Sequence, residues 1–300
     1  MVQIVQLDTS KARDARRFVR FVYDLYRDSK YWVPPVYGDA IKQVSPRHNP
    51  YFEHSEAAFF LATQGSGVVG RIAVLDNYNY RNHHKKQDGF FYLFDSVDDQ
   101  DVADALYGAA FDWLRSRGLT RIIGPKGFVV FEGYGILQHG FDKLPAMGIP
   151  YNYPYYCRLT ENAGLEKEID FNSYYVSIPD FELPERMARL ADKIQERRGI
   201  RVRNFKTKAE IREAVPQVVA TYNRTFVENW EYVPVTPKEA EAVAGQMLQV
   251  TRPELVKVVV NRENDIVGFL LAFVNVGRAL QRCRGRLLPF GWFYVLRELR

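Results

Sequence analysis

Hydrophobic and polar positions along the chain predict two β-hairpins. Residues 59–63 (FFLAT) and 68–75 (VVGRIAVL) are apolar, β-branched or aromatic runs separated by a small polar turn. Residues 255–260 and 265–274 repeat that pattern around Asn261–Asn264. The first hairpin carries Gly65, Gly67 and Gly70 at the GxGxxG spacing. A dinucleotide-binding loop needs a helix after the glycines, so that its N-terminus meets a pyrophosphate. Here Val68, Val69, Ile72, Val74 and Leu75 come instead, so the glycines read as a turn between two strands.

The remaining pattern is mixed. Residues 4–7 predict a strand, and Phe18, Phe21, Val22, Leu25 and Tyr26 have helical spacing. Prolines 34, 35, 46 and 50 interrupt regular structure over residues 31–50. Residues 77–88 predict a polar loop in which His83 and His84 are solvated. Residues 89–94 predict a strand, 96–117 a helix stopped by Gly118, and 121–123 a short strand. Residues 126–150, rich in glycine and aromatics, predict irregular structure; 156–163 a short helix; 171–178 a strand; and 179–184 a connector. A helix over 185–198 is expected to turn Met187, Leu190, Ala191 and Ile194 inward and to stop at Gly199. Thr207 with Glu210 and Thr236 with Glu239 are capping-box pairs, each opening a helix, and Pro216 is expected to bend the first of these.

An offset of 198 carries Val69-Gly70 onto Val267-Gly268, Trp32 onto Trp230, and the strand-like residues 4–9 onto 202–207. Several matches in one order at one offset predict a duplicated domain.

Composition adds limits. With 300 residues, 47% hydrophobic and 26% charged, the chain suits two globular domains. A net charge of +5 permits an anionic ligand without requiring nucleic acid. The arginine-rich stretch after Gly277 reads as a solvated basic segment in preference to a nucleic-acid patch. Cys157 and Cys283 have no metal-ligand spacing and read as free thiols, so no metal is expected. No apolar run is long enough to span a bilayer and no leader pattern opens the chain, so a cytoplasmic protein is expected.

The phrases VPP, NPYFEHSEAAFFLA, VGRIA, GFFYLFDSVDD, FDWLRSRG, GPKGF, YNYPYY, ENWEYVP and GRLLPFGW resemble a bacterial family of tandem GNAT-like (N-acetyltransferase-like) proteins, across essentially the whole chain. The resemblance implies an α/β (α+β) fold of tandem mixed sheets flanked by helices. It implies a first domain over residues 1–178, a connecting segment and helix over 179–198, and a second domain over 199–300. That second domain is expected to be incomplete: residues 291–296 (GWFYVL) echo the strand at 89–94 (GFFYLF), and the family's cofactor-binding helix would come next.

The implied activity is transfer of an acyl group from acetyl-CoA or another acyl-CoA to a small-molecule or peptide amine. The cofactor loop of such enzymes would fall on Asp95, Ser96, Gln100 and Ala103. Asp98, Asp99, Asp101 and Asp104 surround it, however, and carboxylates cap a helix while repelling a pyrophosphate. A general acid for the departing thiolate is expected four residues before Gly164, where Thr160 stands; Tyr155 and Tyr156 are the substitutes, or else part of an aromatic wall. Glu132, Tyr151 and Asn152 are the candidates for binding the acceptor, Glu132 and Asn152 alternatively serving loop backbone. The competing expectation is a non-catalytic binding module on the same scaffold, with open strand edges favouring self-association.

Overall fold

The computed structural model describes residues 1–129, 132–146, 148–177 and 181–299. They form two compact units, one of residues 1–169, 231–234 and 275–299, the other of 170–230 and 235–274. The range 199–300 is therefore divided between both.

The first unit is built on a five-stranded sheet in sequential order: β1 (Val2–Leu7), β2 (Glu56–Gln64), β3 (Gly67–Asp76), β4 (Asp88–Ser96) and β5 (Arg121–Ile123). The first four strands are antiparallel, and β5 runs parallel to β4 over Asp88–Phe90. The GxGxxG stretch is a hairpin turn: Gly65, at φ +58°, joins β2 to β3. Gly70 serves packing, since a Cβ there would lie 2.7 Å from Leu106 and 2.9 Å from Val102. Those two residues belong to α4 (Gln100–Ser116), which covers one sheet face with Val102, Ala103, Leu106, Tyr107, Ala110 and Leu114. The strand period of two divides β2 accordingly. Ala58, Phe60 and Ala62 join the α4 cluster, while Phe59 turns to Phe18 of α1 (Ala12–Leu25), with ring centroids 5.1 Å apart.

Two shorter helices precede β4: α2 (Tyr37–Gln43), and α3 (Tyr78–His84) where a polar loop is expected. Asn77 caps α3 by accepting from the Tyr80 N–H. His83 is exposed as expected, whereas His84 is partly withdrawn from solvent: its Nε2 lies 2.7 Å from the Tyr232 carbonyl oxygen and its ring packs on Tyr80. Helix α5 (Tyr156–Asn162) ends before Gly164, at φ +91°.

The second unit contains α6 (Glu185–Arg198), β6 (Arg201–Asn204), α7 (Lys208–Thr225), α8 (Pro237–Val250), β7 (Val256–Val260) and β8 (Ile266–Leu271). Its sheet is antiparallel in the order β6-β7-β8, and its core joins Phe205, Ile211, Ala214, Leu248, Val258, Val260 and Ile266. Thr236 and Glu239 make the expected reciprocal capping box. Thr207 caps α7 while Glu210 reaches the N–H of Lys206, and α7 continues through Pro216.

Three further expectations are overturned. Residues 171–177 form no strand, and Tyr174 and Tyr175 are 88% and 90% exposed; Ile178 and the connector residues Pro179 and Asp180 lie outside the described residues. Met187, Leu190 and Ile194 of α6 are exposed, so its apolar stripe is uncovered. Finally, α9 (Gly277–Arg282) and α10 (Gly291–Glu298) belong to the first unit, so the GWFYVL echo of β4 is helical. Similar composition fixed neither its period nor its partners.

Candidate active site

Strand β4 is irregular where it carries polar residues. Opposite it, Arg71 pairs with Asp95 and Ala73 with Tyr92, so one residue bulges out, and Leu93 sits in the left-handed region at φ 49°. A left-handed leucine is strained, and a bulge re-aims the residues beyond it. Beyond Phe90 the pairing with β5 has already ended. Asp95 and Ser96 thus lie on a bent strand end next to α5.

Asp95 and Arg71 form an ion pair inside the protein, with side chains 11% and 6% exposed. Nε and Nη2 of Arg71 both lie 2.7 Å from Asp95 Oδ2, and Nη1 donates to the Phe18 carbonyl at 3.2 Å. The other carboxylate oxygen accepts from the Tyr156 hydroxyl at 3.2 Å. Tyr26 donates its hydroxyl proton to Tyr156 at 2.8 Å, and the Ser96 N–H donates to the same oxygen at 3.2 Å. Three groups therefore stand in series: Tyr26, Tyr156 and Asp95. Burial, then the Asp95 charge, hold both tyrosines well above their usual pKa, so both stay protonated. Tyr155 donates to the Ser96 carbonyl at 2.8 Å, and burial pushes its pKa up as well. Tyrosine hydroxyls thus occupy both backbone groups of Ser96 at the free end of β4.

The start of α4 is closed. Asp99 caps it by accepting from the Asp101 N–H, and Asp98 is ion-paired with Arg158. The Gln100 amide donates to Asp104 at 2.8 Å and to the Leu159 carbonyl at 3.0 Å, and accepts from Asn162 at 3.1 Å. Ala103 is fully buried in the core. With its donors self-capped by carboxylates, this helix start does not fit a pyrophosphate.

The acceptor candidates are spread over the glycine-rich segment. Glu132 accepts from Gln43 Nε2 and from the Phe128 N–H, each at 2.6 Å, and fills the space where a Gly127 side chain would stand. Asn152 spends its amide on backbone: it accepts from the Leu137 N–H at 2.6 Å and donates to the Tyr153 carbonyl at 2.9 Å. Tyr151 meets the Tyr26 ring edge-on at 6.3 Å. Tyr155, Tyr156, Asp95 and Ser96 come together, then, while Glu132 and Asn152 brace loops.

Sequence reasoning missed Arg71, Tyr26 and Lys126. For Arg71 the signal is a lone charge inside the run VVGRIAVL, since arginine is rarely buried without a partner. Lys126 is 5% exposed, lies over the Tyr80 and Phe90 rings, and donates to the Glu231 carbonyl; burial pushes its pKa down to about 8.

Also missed is a cleft of about 400 Å³ beside α1. Tyr23, Tyr26, Trp32 and Tyr37 form its aromatic part, and the rest comes largely from Arg20, Arg27 and the turn after α9. Tyr26 belongs both to this wall and to the Tyr156–Asp95 series. Among the described residues no group of three or more metal-ligating side chains forms, and no helix is long and apolar enough to cross a membrane.

No family model matches the chain. Protein YghO of Escherichia coli is 29% identical over 287 residues, which cover 96% of this chain and 72% of that protein. The bacterial ceramide synthase of Caulobacter vibrioides is 30% identical over 288 residues, 96% of this chain and 74% of that protein. The chain belongs to one family with this bacterial ceramide synthase. Among solved structures, a tandem GNAT protein from the clavulanic acid biosynthesis pathway aligns over 90% of this chain and 73% of its own, with TM-score 0.48 and 11% identity. An aminoglycoside acetyltransferase from a soil metagenomic sample covers 59% of this chain and 96% of its own, with TM-score 0.35 and 11% identity. In this protein the first unit holds the Tyr26–Tyr156–Asp95 series and the cleft.

Proposed function

We propose that this protein is an N-acyltransferase that moves a fatty acyl group from a CoA thioester to the primary amine of a long-chain amino alcohol. The observation that carries the reading is 30% identity over 96% of the chain to a bacterial ceramide synthase, since a ceramide is the amide of such an amine. In the reaction the amine attacks the thioester carbonyl, a C–N bond forms, the C–S bond breaks, and the amine's proton ends on the thiol.

Tyr26 reaches the cleft wall and is hydrogen-bonded inward to Tyr156 and, through it, to Asp95. The amine's proton passes to the departing thiolate, and Tyr26, 1% exposed with its hydroxyl turned inward to Tyr156, serves as a positioning residue for the series. Tyr155 occupies the Ser96 carbonyl and positions the end of β4.

Incubation of the protein with C2 to C18 acyl-CoAs and sphinganine, read by mass spectrometry, is expected to yield the N-acyl product and free CoA. Tyr26→Phe, which removes the hydroxyl that donates to Tyr156, is expected to lower kcat with KM little changed. Absence of amide with every donor refutes the reading. The self-capped start of α4 favours a second one, a non-catalytic GNAT-like binding module. Binding of a long-chain amine or thioester without turnover would select it.

A further inference from the structure

The cleft beside α1 carries an unusual charge balance. Arg20, Arg27, Arg282, Arg284 and Arg286 line it, against one carboxylate, Asp24. Asp24 is already engaged, at 3.3 Å from Arg20 Nε and 2.7 Å from Arg27 Nη2. Among the described residues no carboxylate pairs with Arg282, Arg284 or Arg286; Arg286 lies over the Tyr37 ring at 5.6 Å. Guanidinium groups without acids, gathered at a concave surface, form a ready site for phosphate oxygens, which they bind through paired N–H donors.

The turn that carries these exposed arginines is held in place. Gln281 donates to the carbonyls of Lys30 and Trp32 at 3.0 and 2.9 Å. The Gly285 carbonyl accepts from the Tyr37 N–H at 2.8 Å. Gly285, at φ +68°, lies so close to Pro35 that a Cβ would stand 2.2 Å from its carbonyl oxygen. Arg284 before it is left-handed at φ 50°, a strained conformation for a residue with a side chain. Backbone contacts thus fix the turn that presents the three arginines. Beside them Tyr23 packs edge-on against Trp32 and Tyr37, at 5.4 and 5.2 Å, so aromatic rings border the arginines. About 400 Å³ is within the range of small-molecule sites.

We propose that this cleft is a phosphate-binding site that takes the phosphorylated, nucleotide end of the thioester donor, the part that the acid-capped start of α4 is unfit to hold. The identity of the ligand rests on the acyltransferase reading; the anion chemistry of the cleft does not. Its phosphates meet Arg282, Arg284 and Arg286, and its base stacks on the aromatic wall. Nearby Tyr26 then connects the donor's binding site with the buried tyrosine series.

Calorimetry on the full chain tests this with CoA, 3′-dephospho-CoA, pantetheine and inorganic phosphate as probes. The variants are Arg282→Ala/Arg286→Ala and, as a control, Arg115→Ala, whose guanidinium is exposed and paired with Asp112. CoA is expected to bind the double variant at least tenfold more weakly, 3′-dephospho-CoA to bind the wild type more weakly than CoA, and Arg115→Ala to change nothing. Arg282→Lys/Arg286→Lys is expected to recover part of the loss, which a folding defect would not permit. Unchanged CoA affinity in the double variant overturns the site. Inorganic phosphate or pantetheine binding as tightly as CoA overturns the assignment to the donor's nucleotide end. Binding is read without turnover, so the two readings fail separately. A protein that holds CoA through these arginines but makes no amide keeps the site and loses the reaction, whereas amide formation with an unchanged KM in the double variant does the reverse.

Discussion

The two units share a plan, a strand followed by helices and an antiparallel hairpin, and even a hairpin irregularity. The ladder slips between Ala62 and Thr63 in β2 and between Val259 and Val260 in β7. They part in what their interiors contain. Among the described residues, the first unit buries Arg71, Asp76, Asp88, Asp95 and Lys126, whereas the second buries one charged residue, Glu239, which caps a helix. Buried charge is costly unless it is paired, and it concentrates where a protein does chemistry. On the proposed reading the shared hairpin is scaffold, and the chemistry belongs to β4, α5 and the cleft of the first unit.

Removal of one partner of the buried ion pair tests this contrast most severely. Asp95→Ala leaves the Arg71 guanidinium buried without its carboxylate and is expected to cost about 3–5 kcal/mol in denaturant unfolding. The double change Arg71→Met/Asp95→Leu is expected to return most of it. A loss under about 1 kcal/mol for the single change would show that water reaches the pair.

The apolar core of the second unit supplies the next effect. Ile266→Ala truncates a side chain 2% exposed and is expected to cost about 2–5 kcal/mol. Hydrogen exchange should report that loss in the β6–β8 amides, and Tyr26, Tyr156 and Asp95 should keep their protection.

Lys126 makes the contrast pH-dependent. Burial lowers its pKa from 10.5 to about 8 in the folded chain. Between those values the unfolded chain binds more protons, so stability rises with pH over that window, by up to about 3 kcal/mol in total. The buried tyrosines act oppositely. Tyr26, Tyr107 and Tyr156 keep their protons in the fold after the unfolded chain has lost them, so stability falls above about pH 10. Lys126→Met is expected to abolish the rise and leave the fall, as followed by chemical denaturation from about pH 7 to 11.

The helix caps give the smallest effect and should be alike in both units. Asp99→Ala at α4 and Thr236→Ala at α8 are each expected to cost about 1 kcal/mol, because each strands a backbone N–H. A much smaller cost for Asp99→Ala would indicate that the carboxylate crowding around α4 offsets its capping.

How much of the molecule is legible in the chain alone depends on where the information lies. Local patterns carried β1 to β5, α1, α4 and the capping box at Thr236, because strand alternation, helical spacing and caps are short-range properties. They also separated the Gly65–Gly70 spacing from a nucleotide loop, since the residues after it cannot begin a helix. The resemblance brought Tyr155, Tyr156, Asp95 and Ser96 forward, and those four do assemble. Tertiary structure alone decided the rest. GWFYVL is helical although GFFYLF is a strand, because partners and not composition select a strand. The Tyr26–Tyr156 bond joins residues 130 apart. Gln281 reaches carbonyls about 250 positions earlier in the chain, placing Arg282, Arg284 and Arg286, which stay exposed as the solvated-segment reading expects, beside the aromatics of residues 23–37. A charge has no period and its partner no fixed spacing, so burial and pairing can be seen only in the folded chain.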